Sequence, residues 1–158
     1  MVFYLKKAKQ VIGTQMLKNP EEFFRKLAPN IVFKYRKHIF DDAKDVYGKS
    51  FSSKYSPGYK AIKAATQTGG YKSNAPVLRG DLRLDLSVIQ ATPGGFEIGW
   101  TTHGGKIKWL NKVGRKITTK DKPLPTPVIK FIDDELSKQW KIENPNKTTK
   151  HKVKLKIT

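Results

Sequence analysis

Two runs of alternating apolar and polar residues mark the centre of the chain. Leu82, Leu84, Leu86 and Val88 fall on every second position, with Arg83, Asp85 and Ser87 between them. Phe96, Ile98 and Trp100 repeat that period after Pro93-Gly94-Gly95. A period of two sends alternate side chains to opposite faces of a strand. The pattern predicts a hairpin with one apolar and one polar face, its first strand covering residues 84–91. Leu82, Leu86 and Ile89 also sit at helical spacing, and Asp81 suits a helix cap. A short helical turn before the strand is therefore compatible with the pattern.

The flanking segments read as helices. Asn19-Pro20-Glu21-Glu22 is a helix start: Asn caps, Pro takes the first position, and the glutamates favour the positive helix end. Pro29 is expected to interrupt or kink that helix. Residues 30–47 give the strongest helical pattern, with Val32, Phe33, Tyr35, Ile39, Phe40, Ala43, Val46 and Tyr47 on roughly half the wheel. Lys34, Lys37, His38, Asp41, Lys44 and Asp45 fill the polar half, and Gly48 ends the helix. Residues 48–76 show little apolar periodicity and contain Ser56-Pro57-Gly58, a turn signal. They read as a functional loop or one ordered by a partner, with two helical turns possible from Tyr59 to Thr66. Ile107, Trp109 and Leu110 suggest a third strand, and Val113 to Thr119 a fourth. The extended segment from Pro123 to Pro127 leads into a closing helix, with Thr126 as cap and Pro127 as first residue. Val128, Ile129, Ile132, Leu136 and Trp140 mark its buried face, and Asn144-Pro145-Asn146 ends it.

The two ends differ from this middle. Residues 1–18 contain lysines and no acid; Val2, Leu5, Ala8, Val11 and Ile12 permit a helix that Gly13 weakens, and a docking arm is the other reading. The C-terminal stretch carries Lys147, Lys150, Lys152, Lys154 and Lys156, again without an acid. From His151 to Ile157 it alternates strictly, with Val153, Leu155 and Ile157 on one face and basic side chains on the other. A disordered basic tail does not need those aliphatics. A strand that joins a sheet, with its lysines toward phosphate, accounts for both. The organisation is thus a basic arm or helix over 1–18, one α+β domain over 19–143, and a basic tail over 144–158. In that domain an antiparallel sheet is packed by a helix from the N-terminal half and a C-terminal helix.

Charge sharpens the functional reading. The 158 residues carry a formal net charge of +19, which predicts a polyanionic partner, most simply nucleic acid. A solvated basic surface within a larger assembly is the blander explanation. There is no cysteine, which excludes disulfides and thiolate metal sites. No apolar run approaches the roughly 20 residues that span a bilayer. The apolar residues of Met1-Val2-Phe3-Tyr4-Leu5 precede Lys6 and Lys7, the reverse of a signal peptide, so the expectation is a protein made and used without export.

Candidate chemistry is sparse. His38, His103 and His151 are scattered, and none has a partner at ligand spacing. His38 reads as a surface residue and His103 as part of a Gly-Gly turn. Gly48-Lys49-Ser50 lacks the first glycine of a phosphate loop, Ala43 standing there. Arg79-Gly80-Asp81 reads as a turn with a cap, and Asp133, Asp134 and Glu135 as the charged side of a helix. No nucleophile is paired with a base. The expectation is a protein that is not an enzyme and needs no cofactor or metal.

The order of these elements resembles a known family. An amphipathic helix precedes a Ser-Pro-Gly loop, then Val77-Leu78-Arg79-Gly80-Asp81-Leu82-Arg83, then a hairpin with Phe96-Glu97-Ile98-Gly99-Trp100, then the Pro123–Pro127 segment before the closing helix. This is similar to the tail-completion and virion-morphogenesis proteins of tailed bacteriophages over roughly residues 30–140. That family has a Thr/Ser-Gly-x-Leu-Arg step, a strand with a Val-Gly or Ile-Gly step, and a Pro-x-Arg-Pro segment before an acidic helix. Arg79 stands where the family has Thr or Ser, Thr126 where it often has Arg, and the aromatic segment after the strand is replaced by Thr101-Thr102-His103-Gly104-Gly105. Tail terminator, head–tail joining protein and neck protein are all compatible. The resemblance implies a structural virion protein at the neck or tail end, present in the host cytoplasm during assembly. It implies a homo-oligomeric ring, hexamer or dodecamer, between neck, connector or tail proteins. Genomic DNA would pass through the lumen without sequence-specific contact and without a membrane partner. Two other classes fit the residues: a basic nucleic-acid-binding protein acting outside a virion, with Tyr and Trp for stacking, and a small metal-dependent nuclease using Asp81, Asp85, Asp133 or Asp134.

Overall fold

Asn19 caps the first helix as its sequence predicts. Its Oδ1 accepts from the Glu22 N–H at 3.4 Å, Pro20 follows it, and Glu21 and Glu22 occupy the first turn. The helix, α1 (Pro20–Arg36), belongs to a computed structural model that describes residues 2–4, 17–52, 55–66, 72–76 and 80–146. It runs through Pro29 without ending there. Arg25, Lys26, Pro29 and Asn30 are all exposed, so the break in the hydrogen-bond ladder lies on the solvent side. The expected helix over 30–47 is corrected accordingly. Lys37–Asp41 form a π-helical turn, with the Asp42 N–H donating to the Lys37 carbonyl at 2.7 Å. This wider turn lets His38, Ile39 and Phe40, three consecutive residues, all be buried.

Residues 42–51 then fold as a tight loop. Ala43 takes a left-handed φ of 55°, and its carbonyl accepts from the Phe51 N–H at 3.0 Å. The Asp45 carboxylate accepts the N–H groups of Tyr47 (3.0 Å) and Lys49 (2.8 Å), which leaves Tyr47 outside the core. Gly48 lies in this turn at φ 88°, where a side chain would be strained.

The central pattern gives the expected hairpin, preceded by a helical turn. Asp81–Asp85 form α3, Leu86–Thr92 form β2, and Gly95–Trp100 form β3. Leu84 therefore belongs to α3 and is 63% exposed, a correction to its expected place on the apolar strand face. β2 pairs antiparallel with β3 from Leu86↔Trp100 to Thr92↔Gly95, with a bulge at Ile89. Val2–Tyr4, inside the stretch expected as an arm or helix, form β1 and pair antiparallel with the other side of β3. The sheet order is β1-β3-β2.

The expected third and fourth strands are not strands. Gly104–Lys112 form α4, because Ile107 and Leu110 are buried three residues apart while Trp109 is 60% exposed. Val113–Thr119 is an irregular segment tied by Asn111, whose Oδ1 accepts from the Ile117 N–H at 2.8 Å and whose Nδ2 donates to the Thr118 carbonyl at 2.6 Å. The closing helix, α5 (Thr126–Glu143), starts at Thr126, one residue before the predicted first position, so Pro125 and not Thr126 stands at the cap, and it ends at Asn144.

These elements form an α+β fold. α1 lies on β2 and β3, and α5 packs on α1. The core joins Phe24, Ile31, Tyr35, Phe96, Ile98 and Trp100 to Val128, Ile132, Leu136 and Trp140 of α5. The Tyr35 and Trp100 rings meet edge to face at 5.9 Å, and the Tyr35 hydroxyl donates to the Ile117 carbonyl at 2.8 Å. Of the predicted α5 face, Ile129 is only partly buried.

Candidate functional site

The segment that looked least periodic is organised by two buried cations. Ser56 opens helix α2 (Pro57–Thr66), its Oγ accepting from the Tyr59 N–H at 3.3 Å. This bears out the helical turns expected there. Lys63 lies on the inner side of α2 and is 4% exposed. Its Nζ donates to the carbonyls of Ser73 (2.6 Å) and Ala75 and to the Tyr55 hydroxyl (3.1 Å). Arg115, also buried, donates to the carbonyls of Asn74 (2.9 Å) and Ser52 (2.7 Å). Its guanidinium lies over the Tyr55 ring at 4.4 Å and over the Phe51 ring at 5.6 Å from the ring centres. Among the described residues neither cation meets a carboxylate. Burial, and then the Arg115 charge, push the Lys63 ammonium down to about 8.

A cavity of about 680 Å³ opens beside this pair. α2 supplies Tyr59, α4 supplies Lys106 and Trp109, and Arg115 and Tyr55 form its inner wall. Asp81 and Arg83 line it from α3. Arg83 is held in place by Asp41, with Nε to Oδ1 at 3.0 Å and Nη2 to Oδ2 at 3.2 Å. Tyr55 and Tyr59 stand with ring centroids 5.0 Å apart.

Most carboxylates elsewhere are bound within the fold. Asp85 accepts from Thr101 Oγ1 (2.8 Å) and from the N–H groups of Thr102 and His103 (2.6 Å for His103). Burial works against its charged form, but these donors outweigh burial and hold the carboxyl down at about 2. Glu97 accepts from Gln90 Nε2 at 2.8 Å, Asp121 from the Tyr47 hydroxyl at 2.6 Å, and Glu143 from the Lys18 N–H at 2.8 Å. Lysines such as Lys37, Lys44, Lys108, Lys112, Lys120 and Lys130 are exposed. The acids are thus spent on turns and caps, and the surface keeps most of the positive charge.

The residues singled out from sequence scatter over the fold. Lys147, Lys150, Lys152, Lys154 and Lys156 lie outside the described residues, as does His151. His38 is buried, not solvated: its Nε2 lies 3.0 Å from the Asp45 carbonyl, a consequence of the π-helical turn. His103 stands at the turn before α4, its Nδ1 3.5 Å from Asp85. Asp133 is partly buried and its carboxyl is pushed up, first by burial and then by Asp134, so the acidic trio is not wholly on the solvent side. Asp81 and Asp85 serve the cavity rim and a turn, and Asp133 and Asp134 lie on α5. Among the described residues no group of three His, Asp or Glu side chains is placed to hold a metal ion. No helix among them is long and apolar enough to cross a membrane. Sequence reasoning missed Lys63, Arg115 and the Trp109 face as one site. The available signal was a cluster of Tyr55 and Tyr59 beside a cationic helix. No protein-family model, curated protein or solved structure matches the chain.

Proposed function

We propose that this chain is a structural protein of a tailed-bacteriophage virion, acting at the neck or tail end as a tail-completion or tail-terminator protein. Copies assemble as a ring, hexamer or dodecamer, between neighbouring neck, connector or tail proteins. Genomic DNA passes through the lumen and is met by lysines without reading of bases. The role is assembly rather than catalysis, carried out in the host cytoplasm and kept in the virion.

The observation that supports this reading best is the open sheet. Among the described residues no strand pairs with the outer side of β2. An unpaired edge accepts a strand from another chain. The alternating stretch from His151 to Ile157 has the sequence of such a strand, with aliphatics for the core side and basic residues for the other. The layout of helix, loop, hairpin, proline segment and closing helix is also the one that the resemblance implies. The alternative, a nucleic-acid-binding protein outside a virion, draws on the same unspent positive charge.

Native mass, measured at low and high salt with and without short random-sequence duplex DNA, separates the two. A ring-sized species forming without DNA is expected. A monomer that binds duplex tightly and releases it with salt would overturn the ring and favour the alternative. Replacing Lys147, Lys150, Lys152, Lys154 and Lys156 with glutamine is expected to weaken duplex contact, and unchanged contact would remove the tail from the proposal.

A further inference from the structure

We propose that the cavity between α2 and α4 binds one nucleotide of a single-stranded nucleic acid, with the base stacked on the Trp109 indole and the phosphate at Lys106. This goes beyond the ring reading, concerns a different surface, and stands or fails without it.

Three observations meet at this place. The first is an exposed aromatic face. Trp109 is 60% exposed on a helix whose other apolar residues, Ile107 and Leu110, are buried, so its ring is not needed by the core. Tyr59 lies on the opposite element of the same cavity and is also exposed. Bases stack on such rings whatever their sequence.

The second is charge. Arg115 lines the cavity beside Tyr55, Lys63 lies behind Tyr55, and both are bound by carbonyls rather than by carboxylates. Carbonyl dipoles satisfy the donors but leave the full charge in place. Arg83 is balanced by Asp41. Lys106 is exposed, and among the described lining residues Asp81 is the one carboxylate. With Arg83 and Asp41 cancelling, two lining cations, Arg115 and Lys106, face one acid, and the buried Lys63 adds its charge from behind the Tyr55 ring. Burial lowers the Lys63 ammonium first and the Arg115 charge adds to it, so the pair lacks a counter-anion within the described fold.

The third is shape. The cavity is concave and about 680 Å³, room for a base and its sugar phosphate but not for a stacked duplex. A base inside a duplex has both faces covered. The occupant must therefore offer an unstacked base and an anion in one unit, which a single strand does and an acidic peptide does not.

The test uses the full chain and the probe oligothymidine of ten nucleotides. Trp100 and Trp140 are buried, so quenching of tryptophan emission on binding reports Trp109. Quenching is expected, and an abasic strand of equal charge is expected to bind at least tenfold more weakly and to quench little. With a labelled strand followed by anisotropy, Trp109→Ala is expected to weaken binding about tenfold or more, since one stacked base contributes that much. Its exposed position predicts an unchanged melting temperature. Tyr59→Ala keeps the reporter and is expected to reduce affinity less. Lys106→Gln is expected to lower the salt slope by about one contact. Binding without quenching, equal binding of the abasic strand, or equal competition by polyglutamate would each overturn the proposal. The chain with its five tail lysines replaced by glutamine is expected to keep the quench, so the tail and the cavity can fail separately.

Discussion

The two halves of this molecule are held together in different ways. Between α1, the β2–β3 hairpin and α5, the contacts are apolar: Phe24 on Phe96, Tyr35 on Trp100, with Ile132 and Leu136 fully buried. Among the described residues from 51 to 76 only Phe51 and Ala75 are buried apolar side chains, and Lys63 and Arg115 supplement them by donating to carbonyls of Ser52, Ser73, Asn74 and Ala75. Apolar burial is non-directional and sums over area. A buried donor is directional, and its loss leaves specific carbonyls unpaired. The first region should therefore respond to volume, and the second to the identity of two atoms.

The largest effect should come from emptying the first region. Trp100 is 3% exposed, and its Nε1 donates to the Leu82 carbonyl at 2.9 Å. Trp100→Ala removes a large ring and leaves that carbonyl unpaired, at a cost of about 3–5 kcal/mol in unfolding free energy, read from urea titration. A loss under about 1 kcal/mol would show that the hairpin is not part of the same cooperative unit as α1. Arg115→Met tests the second region. It keeps an apolar stem and removes donors to Asn74 and Ser52. The expected cost is about 2 kcal/mol. Its hydrogen exchange should rise over residues 55–66 and 72–76 while β3 stays protected. Equal loss of protection in both regions would merge them into one.

The contrast also explains which parts were legible. The hairpin was readable because β2 and β3 keep a period of two, and the Asn19-Pro20 start because capping is local. Leu84 was misplaced because strand and helix patterns overlap at the α3–β2 junction, where the helical turn ends at Asp85. Ile107 and Trp109 imitate a strand, but the buried pair is Ile107 and Leu110, and exposure of Trp109 is not visible in a period count. His38 reads as polar-face on an ideal wheel; a π-helical turn changes the wheel at that point. Lys63 and Arg115 were the least legible. A buried cation needs partners, and these partners are main-chain carbonyls that carry no side-chain signature. Arg115 reaches Ser52 across a separation of 63 residues.

The smallest expected change in stability is also the sharpest probe of the second region. Lys63→Met replaces a buried ammonium with an apolar chain of similar length. Removing the charge relieves its desolvation and its repulsion by Arg115. It also leaves the Ser73 and Ala75 carbonyls without their donor. The two effects oppose, so the net change near neutral pH should stay within about 1 kcal/mol. The pH dependence separates them. In the folded chain the Lys63 ammonium is lowered to about 8 from its ordinary 10.5. Between those values the unfolded chain binds a proton that the folded chain does not, so this residue makes stability rise with pH. Tyr35 acts in the other direction: burial raises its phenol above the ordinary 10.0, so its contribution is kept below that value and lost as pH climbs past it. The informative window is therefore pH 8 to 10, below the Tyr35 range. Across it, wild-type stability should climb more steeply than that of Lys63→Met, with the excess belonging to this one amine. Equal slopes would mean that Lys63 holds its proton in the fold as firmly as in the unfolded chain. The carbonyl cage would then neutralise its charge as well as a carboxylate does, and the two regions would no longer differ in kind.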